Sequence, residues 1–563
     1  MRKVLTWIAG MTVCLFLFSG CSMYESVIST GSTVKPEEYY EVSEGEAAVF
    51  ADNVQMDTPA VCRDGIYYLS ADSVRNVDSR FYWDGSDENL FFTNAETIYK
   101  EPVADREMAL IEDGQLYLSL ACLEKYADVQ ISMFDNPGRI FIDTAHRERT
   151  LVPVIKDTKL RVRGGLRSAV VSDVKKGTTV ELLDAMENWA EVRTEDGNIG
   201  YMQLKYMDRD SAETMEVISN HEEPAYTGIS LDEKVCLVWQ DMENRSGNTQ
   251  FSYLIDGTQG INVVSPSWFA LQDNEGNYRN LASESYVKEA HDLGIDVWIR
   301  VDDFNRNMSI EQVLGKNAVR QRLVSNLVAD VKAVNADGIN VDFEFISDAS
   351  GDAFSQFLRE LRFACHKEGL ILSVDNANPT YLRHCYDLKE QGRVADYVIL
   401  MGYDEHWKGS AAGSVSSISY VTEGIEIALQ YVPAEKLISG LPFYARVWRE
   451  IPEEDAEPGA ELREDGDSEY EVYSLDSVAL SMKEIAEIVR ESGQEPEWNE
   501  TIGQYYVEIP KEKGKQRIWI EDERSLKLKL DAVSAHSLAG IAFWKLGMED
   551  QAVWTGVIAD YLK

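Results

Sequence analysis

From residue 234 to residue 544 the chain alternates short apolar runs with longer stretches of helical spacing. The runs are KVCLVWQ (234 to 240), INVVSPSWF (261 to 269), IDVWIRV (295 to 301), GINVDFEF (338 to 345), LILSVDN (370 to 376), DYVILMGY (396 to 403), LISGLPFY (437 to 444) and LAGIAFW (538 to 544). Strands separated by helices imply a parallel sheet with crossover helices. Eight of them in roughly 330 residues predict an α/β architecture closed as a (β/α)₈ barrel. Between the fourth and fifth runs, Phe354, Phe357, Leu358, Leu361 and Cys365 form the apolar stripe of a helix, and Gly369 stands where that helix should stop. An insertion separates the seventh and eighth runs. Its first part, 450 to 471, is densely acidic and reads as a solvated loop. SLDSVALSMKEIAEIVRES then has helical spacing, and YYVEIP and IWIEDE read as strands.

The fourth run lies inside ADGINVDFEF, residues 336 to 345, where Ile339, Val341, Phe343 and Phe345 alternate with Asn340, Asp342 and Glu344. A strand sends alternate side chains to opposite faces, so one face carries an amide and two carboxylates in a row. Successive members lie roughly 6.5 to 7 Å apart, close enough for each acid to feel the other's charge. An edge strand with a solvated acidic face is the plain alternative. In a (β/α)₈ barrel, however, function collects at the C-terminal ends of strands, and Glu344 ends this row. A carboxyl group whose pKa is raised there can hold a proton near neutrality and act as a general acid.

The N-terminal half reads differently. Residues 22–45 are polar and without period, as in a linker. From 46 to 146 short strands alternate with turn signals, and DGIYYLSAD (64 to 72) and DGQLYLSLA (113 to 121) look like two copies of one hairpin unit. This β-rich stretch resembles the repeat domains named after the copper amine oxidase N-terminus. The name implies no copper, since His146 is the first histidine of the chain. Residues 150–208 form a further all-β unit. Leu160-Arg161-Val162-Arg163, the Lys176-Gly177 turn, Trp189 and Gly200-Tyr201 resemble a bacterial SH3 domain, which implies contact with a cell-wall peptide; a rigid spacer is the alternative.

With 563 residues the chain exceeds one core. Its net charge of −43 argues against nucleic acid and against electrostatic adhesion to anionic lipids or wall polymers. The leader MRKVLTWIAGMTVCLFLFSGCS places two cations before an apolar run and small residues before Cys21. It resembles a bacterial lipobox, with Phe18 where Leu is usual, which implies lipidation of Cys21 and a membrane contact through the lipid anchor only. A cleaved signal or an uncleaved anchor is the alternative, and each version exports residues 22 onward to the extracellular face. No later stretch is apolar and long enough to span a bilayer. Cys62, Cys122, Cys236, Cys365 and Cys385 show no metal or redox spacing and read as reduced core residues.

DGINVDFEF resembles the fourth-strand signature of family 18 glycoside hydrolases, in the form carried by the bacterial branch of spore-cortex N-acetylglucosaminidases. MGYDEHW (401 to 407), GLPFYARVW (440 to 448) and GIAFWKLGMED (540 to 550) follow in the family's order, so the resemblance spans residues 225–563 as a TIM barrel. It implies that Glu344 is the general acid, Asp342 orients the substrate's acetamido N–H, and Tyr403 donates to the acetamido oxygen. The sugar's own 2-acetamido group then replaces the usual enzymic nucleophile, an exception to two-carboxylate hydrolysis. It further implies substrate contacts from Asp404, Tyr444, Arg446 and Trp544. Trp268 and Trp407, which follow strand ends, are candidates to stack on sugars. No metal or organic cofactor is implied, and the substrate is a β-linked GlcNAc glycan, either peptidoglycan or chitin. Asn340 replaces the middle Asp of many chitinases. It is expected to line the site; an amide can hydrogen-bond Asp342 but cannot store charge, and this keeps open a non-catalytic, glycan-binding alternative.

Overall fold

The computed structural model describes residues 32–85, 87–219, 221, 223–380, 385–464, 466 and 468–563. Cys21 and its leader lie outside them. In the C-terminal unit, all eight apolar runs form strands: β1 (Val235–Gln240), β2 (Val263–Pro266), β3 (Asp296–Asp302), β4 (Gly338–Asp342), β5 (Ile371–Ala377), β6 (Tyr397–Met401), β7 (Leu437–Pro442) and β8 (Gly540–Trp544). Each pairs in parallel with its neighbour, and the pairing of Val235 with Gly540 closes the ring between β1 and β8. The predicted barrel is therefore formed.

Its interior is layered by side-chain chemistry. Val235, Leu237, Trp298, Ile371, Tyr397 and Ile438 fill the lower part, with Trp298 and Tyr397 stacked at 5.3 Å. Gly338 makes room for this layer, because a Cβ there would meet the Ile371 carbonyl oxygen at 2.7 Å and the Trp298 ring at 3.1 Å. Above it the same alternation delivers polar groups: Asn340 and Asp342 on β4, Ser373 and Asp375 on β5, and Arg300 on β3. The outward residues of the fourth run pack on the predicted helix, Gly351–Lys367, where Phe343 stacks on Phe357 at 5.5 Å. Each large side chain fully buried in this way contributes about 2 to 3 kcal/mol. Gly369, at φ +72°, ends the helix as its position implied.

The insertion is a second small fold. Tyr444–Pro452, Tyr473–Ser481, Lys515–Ile520, Gln504–Pro510, Glu497–Asn499 and Leu462–Arg463 make an antiparallel sheet, and the helix Met482–Ser492 packs on it. Two expectations change here. The stretch from Ser474 to Ser481, expected at helical spacing, lies in the strand Tyr473–Ser481, paired over nine positions with Tyr444–Pro452; only from Met482 does the helix begin, where Ser481 and Glu484 form a capping box. The run LISGLPFY also divides, since β7 ends at Pro442 and Tyr444 opens the inserted sheet.

In the N-terminal unit the two similar segments share one plan. Asp64-Gly65 and Asp113-Gly114 hold positive φ in two-residue turns, and each second strand runs into a seven-residue helix capped by Ser70 or Ser119. The second strands, Ile66–Ser70 and Gln115–Ser119, pair with each other. A seven-stranded sheet follows, in the order Val170–Val174, Thr158–Arg161, Ile199–Gln203, Trp189–Thr194, Thr179–Ala185, Glu148–Pro153 and Glu213–Glu216. The stretch expected as a linker, 22–45, is not free from Thr33 onward. Thr33 bridges Val170, the helix Pro36–Tyr39 follows, and the buried Tyr40 hydroxyl donates to Asn198. Two adjacent aromatic rings explain the difference: they bury readily even in a polar segment. Among the described residues no helix is long and apolar enough to cross a membrane.

Candidate active site at the barrel mouth

The row read from the fourth strand splits by depth. Asn340 has 0 % of its surface exposed. Its Oδ1 accepts from Trp239 Nε1 and Ser265 Oγ, both at 3.0 Å, while its Nδ2 donates to Ser373 Oγ at 3.0 Å and Asp375 Oδ1 at 2.7 Å. The amide thus ties β1, β2 and β5 to β4. This corrects the expected substrate contact, since a fully buried amide cannot touch substrate; its bonds run to these four neighbours and not to Asp342.

Asp342, one step nearer the mouth, is buried. Its Oδ2 faces Arg300 Nη1 at 3.2 Å, and its Oδ1 has no hydrogen-bond partner. Burial raises its pKa, Arg300 opposes the shift, and the Asp302 charge adds to it. Glu344 lies beyond the strand end with its side chain open to solvent. Its backbone N–H donates to Asp303 Oδ1 at 2.9 Å, and that of Phe345 to Asp303 Oδ2 at 3.0 Å, so one buried carboxylate fixes the turn that aims Glu344. The protein packed about the Glu344 carboxyl raises its pKa, and the nearby Asp342 charge raises it further. Asp303 is itself pushed up to about 6 by burial, against the pull of those two N–H donors. Arg300 is the counter-charge nearest this group of acids, which therefore cannot all be ionised together.

Tyr403 joins the cluster from the end of β6. Its buried ring lies 6.2 Å from Tyr444 and 6.4 Å from Trp239, edge-on to both. Burial lifts its hydroxyl well above the usual phenol range, and Asp342, Asp375 and Glu344 add to the lift, so it is a donor at neutral pH. Asp404 follows at φ +56°, a left-handed conformation that costs a non-glycine residue about 1 kcal/mol. There its Oδ1 accepts from the Tyr444 hydroxyl at 2.8 Å and from Arg446 Nη2 at 3.3 Å. Trp544 ends β8 half-buried, with the Arg300 guanidinium 5.1 Å over its ring. Glu344, Asp342, Tyr403, Asp404, Tyr444, Arg446 and Trp544 thus gather at one mouth.

The other two tryptophans part company. Trp407 is 55 % exposed and borders a cleft of about 300 Å³ together with Asn376, Asn378, Tyr386, Asp404 and Tyr420. Trp268 is not at the site: it is fully buried, donates from Nε1 to Asn248 Oδ1 at 2.8 Å and packs edge-on to Tyr286. Its strand stops at Pro266, and the chain turns the indole back into the barrel wall. Sequence reading missed Arg300, Asp303, Asp375 and Trp239. The signal was present in RVDD at the end of the third run and in the Ser373, Asp375 alternation of the fifth. Among the described residues no cluster of His, Cys, Asp and Glu could hold a metal ion.

Comparison with known proteins bears on these motifs. The profile of glycosyl hydrolases family 18 matches residues 237–549, and that of the bacterial SH3 domain matches residues 156–208. The chain is 26% identical over 249 residues to a cortical fragment-lytic enzyme of Bacillus subtilis (strain 168), covering 43% of this chain and 54% of that protein. It is 24% identical to an endochitinase of Brugia malayi, over 46% of this chain and 54% of the other. The match spans about half the length of these relatives. A solved C-terminal domain from Desulfitobacterium hafniense DCB-2 superposes with a TM-score of 0.52 at 19% identity, covering 59% of this chain and 100% of that one, and so shares the fold. With a family match over more than half its length, and with the ordered motifs of that match at the mouth of an eight-stranded barrel, the chain belongs to glycosyl hydrolases family 18.

Proposed function

We propose that the protein is an exported, retaining β-N-acetylglucosaminidase that cleaves a β-linked GlcNAc glycan through the substrate's own acetamido group. The observation that carries the reading is the pairing of an accessible Glu344 carboxyl, its pKa raised by its surroundings, with a buried Asp342 whose Oδ1 has no partner. Glu344 holds a proton near neutrality and gives it to the leaving glycosidic oxygen. Asp342 receives the acetamido N–H at its free oxygen and balances the positive charge that grows on the acetamido group. Tyr403 donates to the acetamido oxygen, which attacks the anomeric carbon from within the same sugar. Glu344, now a carboxylate, takes a proton from the incoming water, and the product keeps the β configuration. Arg446 and Asp404 contact sugar hydroxyls beside the cut, Trp544 forms the floor under the sugar, and Trp407 stacks on the side of the cleft.

Peptidoglycan is the favoured glycan over chitin. The reading draws on the likeness to the cortical fragment-lytic enzyme of Bacillus subtilis and on the SH3 match, whose domain would hold a wall peptide. Lipidation at Cys21 would keep the enzyme at the outer face of the membrane. The test is product analysis by mass after incubation of wild type and Glu344→Gln with defined peptidoglycan fragments and chito-oligosaccharides. New reducing ends from wild type alone support the reading; equal release by Glu344→Gln removes Glu344 from its role. Tight binding with no new ends identifies a glycan-binding protein.

A further inference from the structure

Asn340 cannot store charge, yet it donates to a carboxyl group that can. Asp375 lies on β5, where the register pairs Asn340 with Ser373 and Val341 with Val374. The next step along both strands sets Asp342 beside Asp375, on strands about 4.8 Å apart and on the same interior face. Both are almost wholly buried, at 3 % and 2 % exposure. Each has one oxygen engaged: Asp342 Oδ2 by Arg300, and Asp375 Oδ1 by the Asn340 amide. Each also has one buried oxygen without a partner, Asp342 Oδ1 and Asp375 Oδ2. Two buried carboxylates side by side cannot both be ionised, and a buried acceptor without a donor is costly. A single proton between the two free oxygens resolves both difficulties.

We propose that Asp342 and Asp375 share one proton across neighbouring barrel strands, and that Asp375 is the positioning residue that holds the charge Asn340 cannot. This rests on the glycosidase reading of the same site. In the free enzyme the proton lies between Asp342 Oδ1 and Asp375 Oδ2. When the acetamido N–H reaches Asp342, the proton settles on Asp375 and Asp342 becomes a full carboxylate; no proton is gained or lost. Asn340 keeps the Asp375 carboxyl turned for this exchange. The groups facing the pair are Arg300 and Asp302 from β3, Glu344 beyond β4 and Tyr403 beyond β6. Burial, and after it the Asp342 charge, hold the Asp375 pKa well above the usual carboxylate range.

The test uses the full chain and Asp375→Asn. Asparagine has the same shape; its carbonyl still accepts from Asn340 and its amide donates to Asp342 Oδ1, so an unchanged melting temperature is expected. At neutral pH the infrared spectrum of wild type should carry a protonated-carboxyl band that Asp375→Asn removes and Glu344→Gln leaves in place. This arm needs no turnover, so it stands even if the glycosidase reading fails. In the kinetic arm, Asp375→Asn should lower kcat about tenfold with KM within about twofold. Asparagine stands in for the protonated Asp375, so the charge beside Glu344 is unchanged at neutral pH and what is lost is the pair's own ionisation at higher pH; the alkaline limb should lose that step and move about half a pH unit higher. A band unchanged by Asp375→Asn overturns the proposal. So does a pH profile that superposes on wild type's, whatever the loss in rate.

Discussion

Two groups of buried charges in the C-terminal unit are built on opposite terms. Between the inserted sheet and the helix Glu523–Ala535, Glu521 and Lys529 are both buried and ion-paired. Gln504 Nε2 and Ser525 Oγ donate to the Glu521 carboxylate at 2.9 and 2.7 Å, and Ser414 Oγ donates to Gln504 at 2.6 Å. One acid meets one cation, and both carboxylate oxygens are engaged. At the barrel mouth, Arg300 faces Asp342, Asp302 and Asp375, with Glu344 and Asp303 close by, and two of the carboxylate oxygens have no partner. A satisfied network holds a fold together. An under-neutralised one holds a proton and waits for a donor, which is what a general acid and its neighbour need.

Breaking the mouth should abolish chemistry without unfolding the chain. Glu344→Gln is expected to reduce kcat by at least about a thousandfold, since it deletes the proton that the leaving oxygen needs, while the melting temperature stays within a degree or two. Breaking the satisfied pair should do the reverse. Lys529→Met leaves the buried Glu521 uncompensated and is expected to lose about 3 to 5 kcal/mol in urea unfolding, with KM unchanged in the fraction that remains folded. A neutral result there would mean that Glu521 is not held as an ion.

Smaller effects sharpen the contrast. Trp407→Ala, at an exposed position beside the cleft, should raise KM roughly tenfold with little change in kcat or stability, as loss of one stacking contact does. Substituting the buried Trp268 by Phe should lower stability and leave KM alone. The smallest effect is a slope. Asp303 is pushed up to about 6 by burial, above its unfolded value of about 3.9. Its folded form therefore keeps a proton that the unfolded chain has lost, so its contribution to stability is full below pH 4 and fades as the pH rises to about 6. Asp303→Asn should flatten that part of the stability profile, measured by denaturant midpoints across the range.

The eight strands were legible because each apolar run is short and bounded by helical periodicity, a pattern that little else produces. The acid row was legible because alternation assigns faces to residues within one strand. Legibility failed where the answer depended on another strand or on a turn. That Asn340 would face Ser373 and Asp375 follows from the register of β4 with β5, and that it would face Trp239 and Ser265 follows from closure of the barrel, which brings β1 and β2 across to it; no single segment encodes either. Asp375 sat unremarked in LILSVDN although it alternates there as Asp342 does in its own strand. Trp268 was placed at a strand end, but the strand stops two residues earlier and the indole turns inward. Tyr473–Ser481 shows the limit of periodicity itself: over nine residues helical and extended spacing overlap, and pairing with Tyr444–Pro452 decides. The two seven-residue helices after Ser70 and Ser119 are too short to show a period.

The most direct measurement is the configuration of the first product, followed by NMR during cleavage of a chito-oligosaccharide or muropeptide by wild type and by Glu344→Gln. Wild type should release the β anomer first and Glu344→Gln should release nothing on the same timescale. An α anomer as first product, or cleavage by the variant at the wild-type rate, would contradict the assignment of Glu344 as the proton donor above a substrate-steering Asp342.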